Sequence, residues 1–203
     1  MSSATPPCEA LIARDLFGGA MSMSLPSRLV DVSDYRPVPD HQEVWADGAT
    51  DQSLVVELVE AAAAEAGACG RFYFDDMASV NDSGESSVRG VEELGLASLP
   101  SLPGVEGLYA CLVTGTQLVS KSRQDSDASN AVLLLLAVLR LPKVGSDLLI
   151  TLNTPLHISE HSTSAENVNA TGVQQGADLA RPLLLSMLVS LSIRDWGLFG
   201  ADK

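Results

Sequence analysis

Apolar residues recur along this chain with two periods, and the switches between them set the expected elements. Residues 16–51 carry short apolar runs broken by Gly18-Gly19, Pro26, Pro37 and Pro39, a pattern of short strands. Beyond Thr50, the apolar positions Leu54, Val55, Leu58, Val59 and Ala62 return at helical spacing, with Asp51, Glu57 and Glu60 between them. That spacing predicts a helix to about Glu65, capped by Thr50 or Asp51 and stopped by the glycines of residues 67–70. Arg71-Phe72-Tyr73-Phe74 then has the aromatic content of a strand, residues 75–87 read as a polar loop, and residues 88–94 as a short strand. After a Pro/Gly-rich connector over 97–107, residues 108–113 and 117–120 are predicted strands around a Thr114-Gly115-Thr116 hairpin turn. Two apolar segments follow, 131–141 and 148–153, joined by a turn at 142–146. Periodicity alone fits the first of them to a helix as well as to a strand. Its length and flanking turn signals favour a buried strand. A last helix is expected over 178–193, with Leu184, Met187, Leu188 and Leu191 on one face and Pro182 in its first turn.

The order of strands, helix, several strands and helix, with few βαβ crossovers, predicts an α+β fold: a mainly antiparallel sheet covered by helices. Residues 1–14, small, polar and proline-bearing, are expected to be a disordered tail, and 15–203 a single domain with mobile loops at about 77–87 and 156–176.

Composition narrows the partners. The chain of 203 residues carries 12 Lys+Arg against 26 Asp+Glu, a net charge of −14. Nucleic acids and anionic membrane surfaces both need a positive face, so the balance points instead to a basic protein or a cationic ligand. The longest apolar run, residues 131–139, is too short to cross a bilayer as a helix, and the N-terminus has no apolar signal segment. Cys8, Cys69 and Cys111 are odd in number and far apart, which argues against a disulfide framework and for a reducing compartment.

The common catalytic signatures are missing: there is no phosphate-cradling GxxxxGK[ST], no GxSxG and no HExxH. Gly18-Gly19 reads as a bend in an early strand. His157 and His161 bracket Glu160 but lack the third and fourth ligands a zinc site needs, so they are expected to be solvated loop residues. Asp75, Asp76, Asp82 and Glu85 fail the spacing of a calcium loop. No metal, cofactor or catalytic residue is expected.

One stretch stands out. Residues 31–60 hold Asp31, Asp34, Asp40, Glu43, Asp47, Asp51, Glu57 and Glu60 against a single cation, Arg36. Crowded carboxylates repel one another and cost stability, and a solvated acidic face kept for solubility is the plainest account of them. The context adds a second account. Pro37 and Pro39 hold the backbone extended just before Asp40-His41-Gln42-Glu43, and a turn there sets Asp40 and Glu43 on one side, both exposed. An ordered carboxylate pair loses less entropy on meeting Lys or Arg than a floppy one does.

The run Asp31-Val32-Ser33-Asp34-Tyr35-Arg36-Pro37-Val38-Pro39-Asp40-His41-Gln42-Glu43-Val44, preceded by Leu16-Phe17-Gly18-Gly19-Ala20, resembles the opening of the Ran guanine nucleotide release factor family. Matches continue at Asp51-Gln52-Ser53-Leu54, Leu139-Arg140-Leu141-Pro142, Asp147-Leu148-Leu149-Ile150 and the ending Asp195-Trp196-Gly197-Leu198-Phe199-Gly200, so the likeness spans about residues 16–200. It implies the Mog/PsbP-like arrangement, an antiparallel sheet sandwiched between helices. It also implies a protein that binds the small GTPase Ran, promotes release of the bound nucleotide without covalent chemistry and supports nuclear protein import; nothing in the sequence suggests an obligate dimer, and a monomer in nucleus and cytoplasm is expected. The family's Ran-holding acids map onto Asp40 and Glu43, with Asp31, Asp34 and Arg36 as the expected surrounding surface. The alternatives are a PsbP-like structural subunit of a photosynthetic complex and a small-molecule-binding domain, the latter requiring a deep pocket of convergent polar groups.

Overall fold

The computed structural model describes residues 9–102, 104–120, 129–157 and 170–200. Its frame is a seven-stranded sheet in the order β3-β4-β5-β9-β8-β7-β6. The strands are β3 (Val30–Asp31), β4 (Gln42–Ala46), β5 (Ser53–Glu60), β6 (Ser86–Glu93), β7 (Tyr109–Ser120), β8 (Ser129–Leu141) and β9 (Ser146–His157). Every neighbouring pair is antiparallel. A smaller sheet joins β1 (Leu11–Leu16), β2 (Met21–Pro26) and β10 (Ser192–Ile193).

Helix α1 (Ala66–Val80) covers one face of the large sheet. Cys69, Tyr73 and Phe74 pack there on Cys111, Val113, Leu134, Leu136 and Val138. Helix α2 (Ala170–Val189) and the small sheet cover the other, where Leu184, Met187 and Leu188 meet Met21, Met23 and Leu25 over Leu133, Leu135, Ala137 and Leu139. Strand β8 therefore buries alternate side chains against opposite layers. That explains why its apolar run has no polar interruption. The expected sheet between helices is what the chain forms, and Leu184, Met187 and Leu188 are fully buried on one face of α2 as predicted; the helix stops at Val189, short of the expected 193, so buried Leu191 lies beyond it and residues 192–193 pair with β2.

Four expectations about local structure are corrected. Residues 53–60 are strand, not helix: Leu54 and Val56 alternate into the core between β4 and β9, and β-branched Val55, Val56 and Val59 suit that pleat. The glycines at 67 and 70 begin α1 rather than ending a helix. A Cβ on Gly70 would lie 2.7 Å from the Cys111 sulfur and 2.8 Å from Val113 Cγ2, so the helix needs glycine there to approach the sheet. Arg71-Phe72-Tyr73-Phe74 belongs to this helix, with Tyr73 and Phe74 inward and an Arg71–Asp75 pair one turn apart outside. Thr114-Gly115-Thr116 is no turn, since β7 runs through it unbroken.

The boundaries shift as well. Residues 11–14 of the expected tail are strand, because six register pairs with β2 carry them to the fully buried Leu16. Of the expected loop at 77–87, Met77 to Val80 close α1 and Ser86-Ser87 open β6. Of the second expected loop at 156–176, residues 156–157 belong to β9, residues 170–176 to α2, and 158–169 lie outside the described residues; the earlier helix start leaves Pro182 inside α2 instead of in its first turn. Cys8 and His161 lie outside the described residues. Cys69 and Cys111 are free, and burial pushes both thiols up, Cys111 to about 12, which makes them poor nucleophiles. None of the described helices is long and apolar enough to cross a membrane.

Candidate functional site

The bend between β3 and β4 is built from its own side chains. Asp31 Oδ1 accepts the Ser33 N–H at 2.8 Å and starts a short 3-10 turn, Val32–Asp34. The N–H groups of Tyr35 and Arg36 close on the Val32 carbonyl, and Gln42 N–H donates to the Pro39 carbonyl at 2.9 Å. Asp40 stands exposed at the tip of that last turn.

Strand alternation then decides Glu43. It shares the inward face of β4 with Trp45, so the carboxylate is half-buried and points back over the β1–β2 turn. There Oε1 accepts the Phe17 N–H at 2.5 Å. Phe17, Gly18 and Gly19 have φ of 50°, 62° and 93°, and this left-handed run turns the amide toward the acid. Burial pushes the Glu43 carboxyl above its usual range; the Phe17 bond opposes that shift and nearby Asp31 adds to it. The expectation that Glu43 is exposed like Asp40 is therefore corrected.

Asp31, Asp40 and Glu43 line one open cleft of about 410 Å³, together with Phe17, Val38 and Leu198. Arg36 lines a different cleft, of about 350 Å³, beside Asn81 and Asn153, and exposed Asp34 lines neither. The acidic stretch is divided further. Asp47 is buried at 6% exposure and binds Arg28 Nη1 at 3.0 Å, Thr50 Oγ1 at 2.7 Å and the Ala49 N–H at 2.9 Å. Burial would raise its pKa, but those hydrogen bonds and the Arg28 charge outweigh it and hold the carboxyl below the usual range. Glu57 accepts from Gln42 Nε2 at 2.8 Å and faces His41 Nε2 at 3.5 Å, so His41 attends Glu57 and not the cleft acids. Phe17 and Leu198 were not among the expected site residues; they enter through a turn and a C-terminal segment remote in sequence. Among the described residues no three His, Cys, Asp or Glu side chains converge to hold a metal.

One test follows from Glu43. Its folded pKa is raised, so ionisation costs stability that is absent below the ordinary value of 4.5 and grows as pH rises through the folded value. Glu43→Gln keeps an acceptor for Phe17 and removes the charge. Thermal melts should show the variant at least as stable as the parent at pH 7, with the difference vanishing below about pH 4.5. A variant clearly less stable at pH 7 would contradict the assignment.

Residues 14–155 match the family described as Ran-interacting Mog1 protein. A Ran guanine nucleotide release factor from Bos taurus is 38% identical over 188 residues, covering 92% of this chain and 96% of the relative. The nuclear import protein mog1 of Schizosaccharomyces pombe is 24% identical over 156 residues, covering 75% of this chain and 82% of its own. Among solved structures, the Ran-binding protein Mog1p of Saccharomyces cerevisiae superposes with a TM-score of 0.64 at 22% identity, over 95% of this chain and 100% of that one. Cyanobacterial PsbP from Synechocystis follows at 0.54 and 12% identity, over 95% of this chain and 98% of its own. These last two establish the fold alone. With the family match spanning well over half its length, the chain belongs to the Ran-interacting Mog1 protein family.

Proposed function

We propose that this protein binds the small GTPase Ran through the cleft of Asp31, Asp40 and Glu43, promotes release of its bound guanine nucleotide and thereby supports nuclear protein import. Asp34 and Arg36 flank the contact. The observation that carries the reading is a rigid bend holding three carboxylates at one open cleft in a chain of this family. Relatives named for Ran nucleotide release and for nuclear import support it.

Release needs only linkage. A protein that binds nucleotide-free Ran more tightly than loaded Ran must weaken nucleotide binding by the same factor, and a coupling of about 1–3 kcal/mol changes affinity about 5–150-fold. No bond is made or broken, so the protein acts as an exchange modulator, as a monomer, in nucleus and cytoplasm. Its net charge of −14 speeds encounter with a basic patch.

The test is release of a fluorescent guanine nucleotide from Ran. The parent protein should accelerate it. Asp40→Lys should abolish both the acceleration and the binding, with its circular dichroism unchanged, because Asp40 is exposed and makes no side-chain hydrogen bond among the described residues. Undiminished binding by that variant would remove the site.

A further inference from the structure

A larger groove, about 650 Å³, lies next to the acidic cleft, lined by Leu58, Glu60, Lys143, Gly145, Leu198 and Phe199 among others. Leu198 lines both depressions and forms the ridge between them. The two rims are also joined through the backbone: Leu58 N–H donates to the His41 carbonyl at 2.9 Å, and Ala61 N–H to the Gly145 carbonyl at 3.0 Å. The bend, the end of β5 and the β8–β9 turn thus form one continuous rim along the strand ends of the large sheet.

The ridge is held in place. Asp195 Oδ1 accepts the Gly197 N–H at 2.8 Å and opens the turn Trp196–Phe199. Arg194 and Asp195 N–H groups both donate to the Ala20 carbonyl, at 2.8 and 3.0 Å, which fastens this turn to the loop that presents Phe17 to Glu43. Lys143 Nζ stands 5.9 Å from the Trp196 ring centroid. It is exposed, and among the described residues it forms no ion pair and is the single cation lining either depression.

We propose that the partner's footprint crosses the Leu198 ridge, so that Lys143 receives a carboxylate of the same protein whose basic side chains meet Asp31, Asp40 and Glu43. This rests on the Ran reading above and gives it a shape. The partner presents, in order, a cation, an apolar side chain over Leu198 and an acid. A half-buried leucine at the centre with charges at the periphery is the usual anatomy of a protein interface. A cation across the ridge also fixes orientation, because a docked partner turned end for end would set its acid against Asp31, Asp40 and Glu43 and a cation against Lys143, although Glu60 in the same groove softens the second clash.

The test is titration of nucleotide-free Ran by calorimetry with three variants, alongside hydrogen exchange of the complex. Lys143→Glu should weaken binding about fivefold or more, Lys143→Arg should bind like the parent, and Asp40→Lys should not bind. Amides of residues 143–145 and 197–200 should exchange more slowly in the complex. Parent-like affinity of Lys143→Glu, with binding still lost in Asp40→Lys, overturns the extended footprint and leaves the Ran reading standing. Parent-like affinity in both variants overturns the Ran reading itself. Slowed exchange at the same amides in this protein alone at raised concentration assigns the groove to a second copy and also overturns the proposal.

Discussion

Asp147→Ala should cost about 3–5 kcal/mol in urea unfolding, enough to leave the chain marginal at 37 °C. Asp147 has no exposed surface. Its two carboxylate oxygens accept from Arg140 Nε at 2.9 Å and Nη2 at 2.8 Å, from the Tyr73 hydroxyl at 2.7 Å and from the Ala62 N–H at 3.2 Å. Arg140, its cross-strand neighbour, also donates to the carbonyls of Ala62 and Ala64. One ion pair therefore anchors the segment leading from β5 into α1. Removing the acid leaves the half-buried guanidinium without its counter-charge and takes the shortest acceptor from the Tyr73 hydroxyl, which keeps only the Glu60 carbonyl at 3.4 Å, and that is why the loss exceeds that of an ordinary salt bridge. Replacing both members, Arg140→Leu with Asp147→Leu, should recover part of the loss by removing the orphaned charge. A single variant within 1 kcal/mol of the parent would mean the network does not carry the fold.

Gly115→Ala should cost about 3 kcal/mol, the upper part of the range for overpacking a core. A Cβ there would sit 2.4 and 2.5 Å from two ring carbons of Phe74 and 2.7 Å from the Ser87 carbonyl oxygen. Phe74, on the inner face of α1, is fully buried against the sheet. Adding Phe74→Leu should restore only part of the stability, because the Ser87 backbone cannot be trimmed. Unchanged stability of Gly115→Ala would show that the helix rides further from the sheet than its packing implies.

Gly115 also shows why local reading of this sequence went astray. Glycine between threonines carries the chemistry of a turn, and nothing nearby reveals that an aromatic ring forty residues upstream needs the vacancy. Gly70 misled in the same way. Residues 54–59 misled because Leu54, Val55, Leu58 and Val59 satisfy both periods, and only pairing with β4 and β9 decides between them. Strand β8 was legible, since its unbroken run has one natural place, between two covered faces. At the site, the proline-stiffened bend and its acids could be read directly. Glu43's half-burial depends on the alternation of a strand, Asp47's neutralisation on Arg28 across the fold, and Leu198's arrival on the path of the whole C-terminus. None of these has a local signature.

The same central strand has a consequence for the chain's life before and after folding. Residues 132–139, VLLLLAVL, contain no charge and no proline, and they are harmless only while β7 and β9 flank them. During synthesis, or whenever heat opens the sheet, this octet is a template for cross-β stacking between molecules. Arg140 and Pro142 stand just after it and Asn130 just before, the kind of gatekeepers that slow such growth without preventing it. In cells, variants that loosen the core should therefore be drawn into insoluble aggregate, and their abundance should track kinetic survival more closely than the equilibrium stability read in urea.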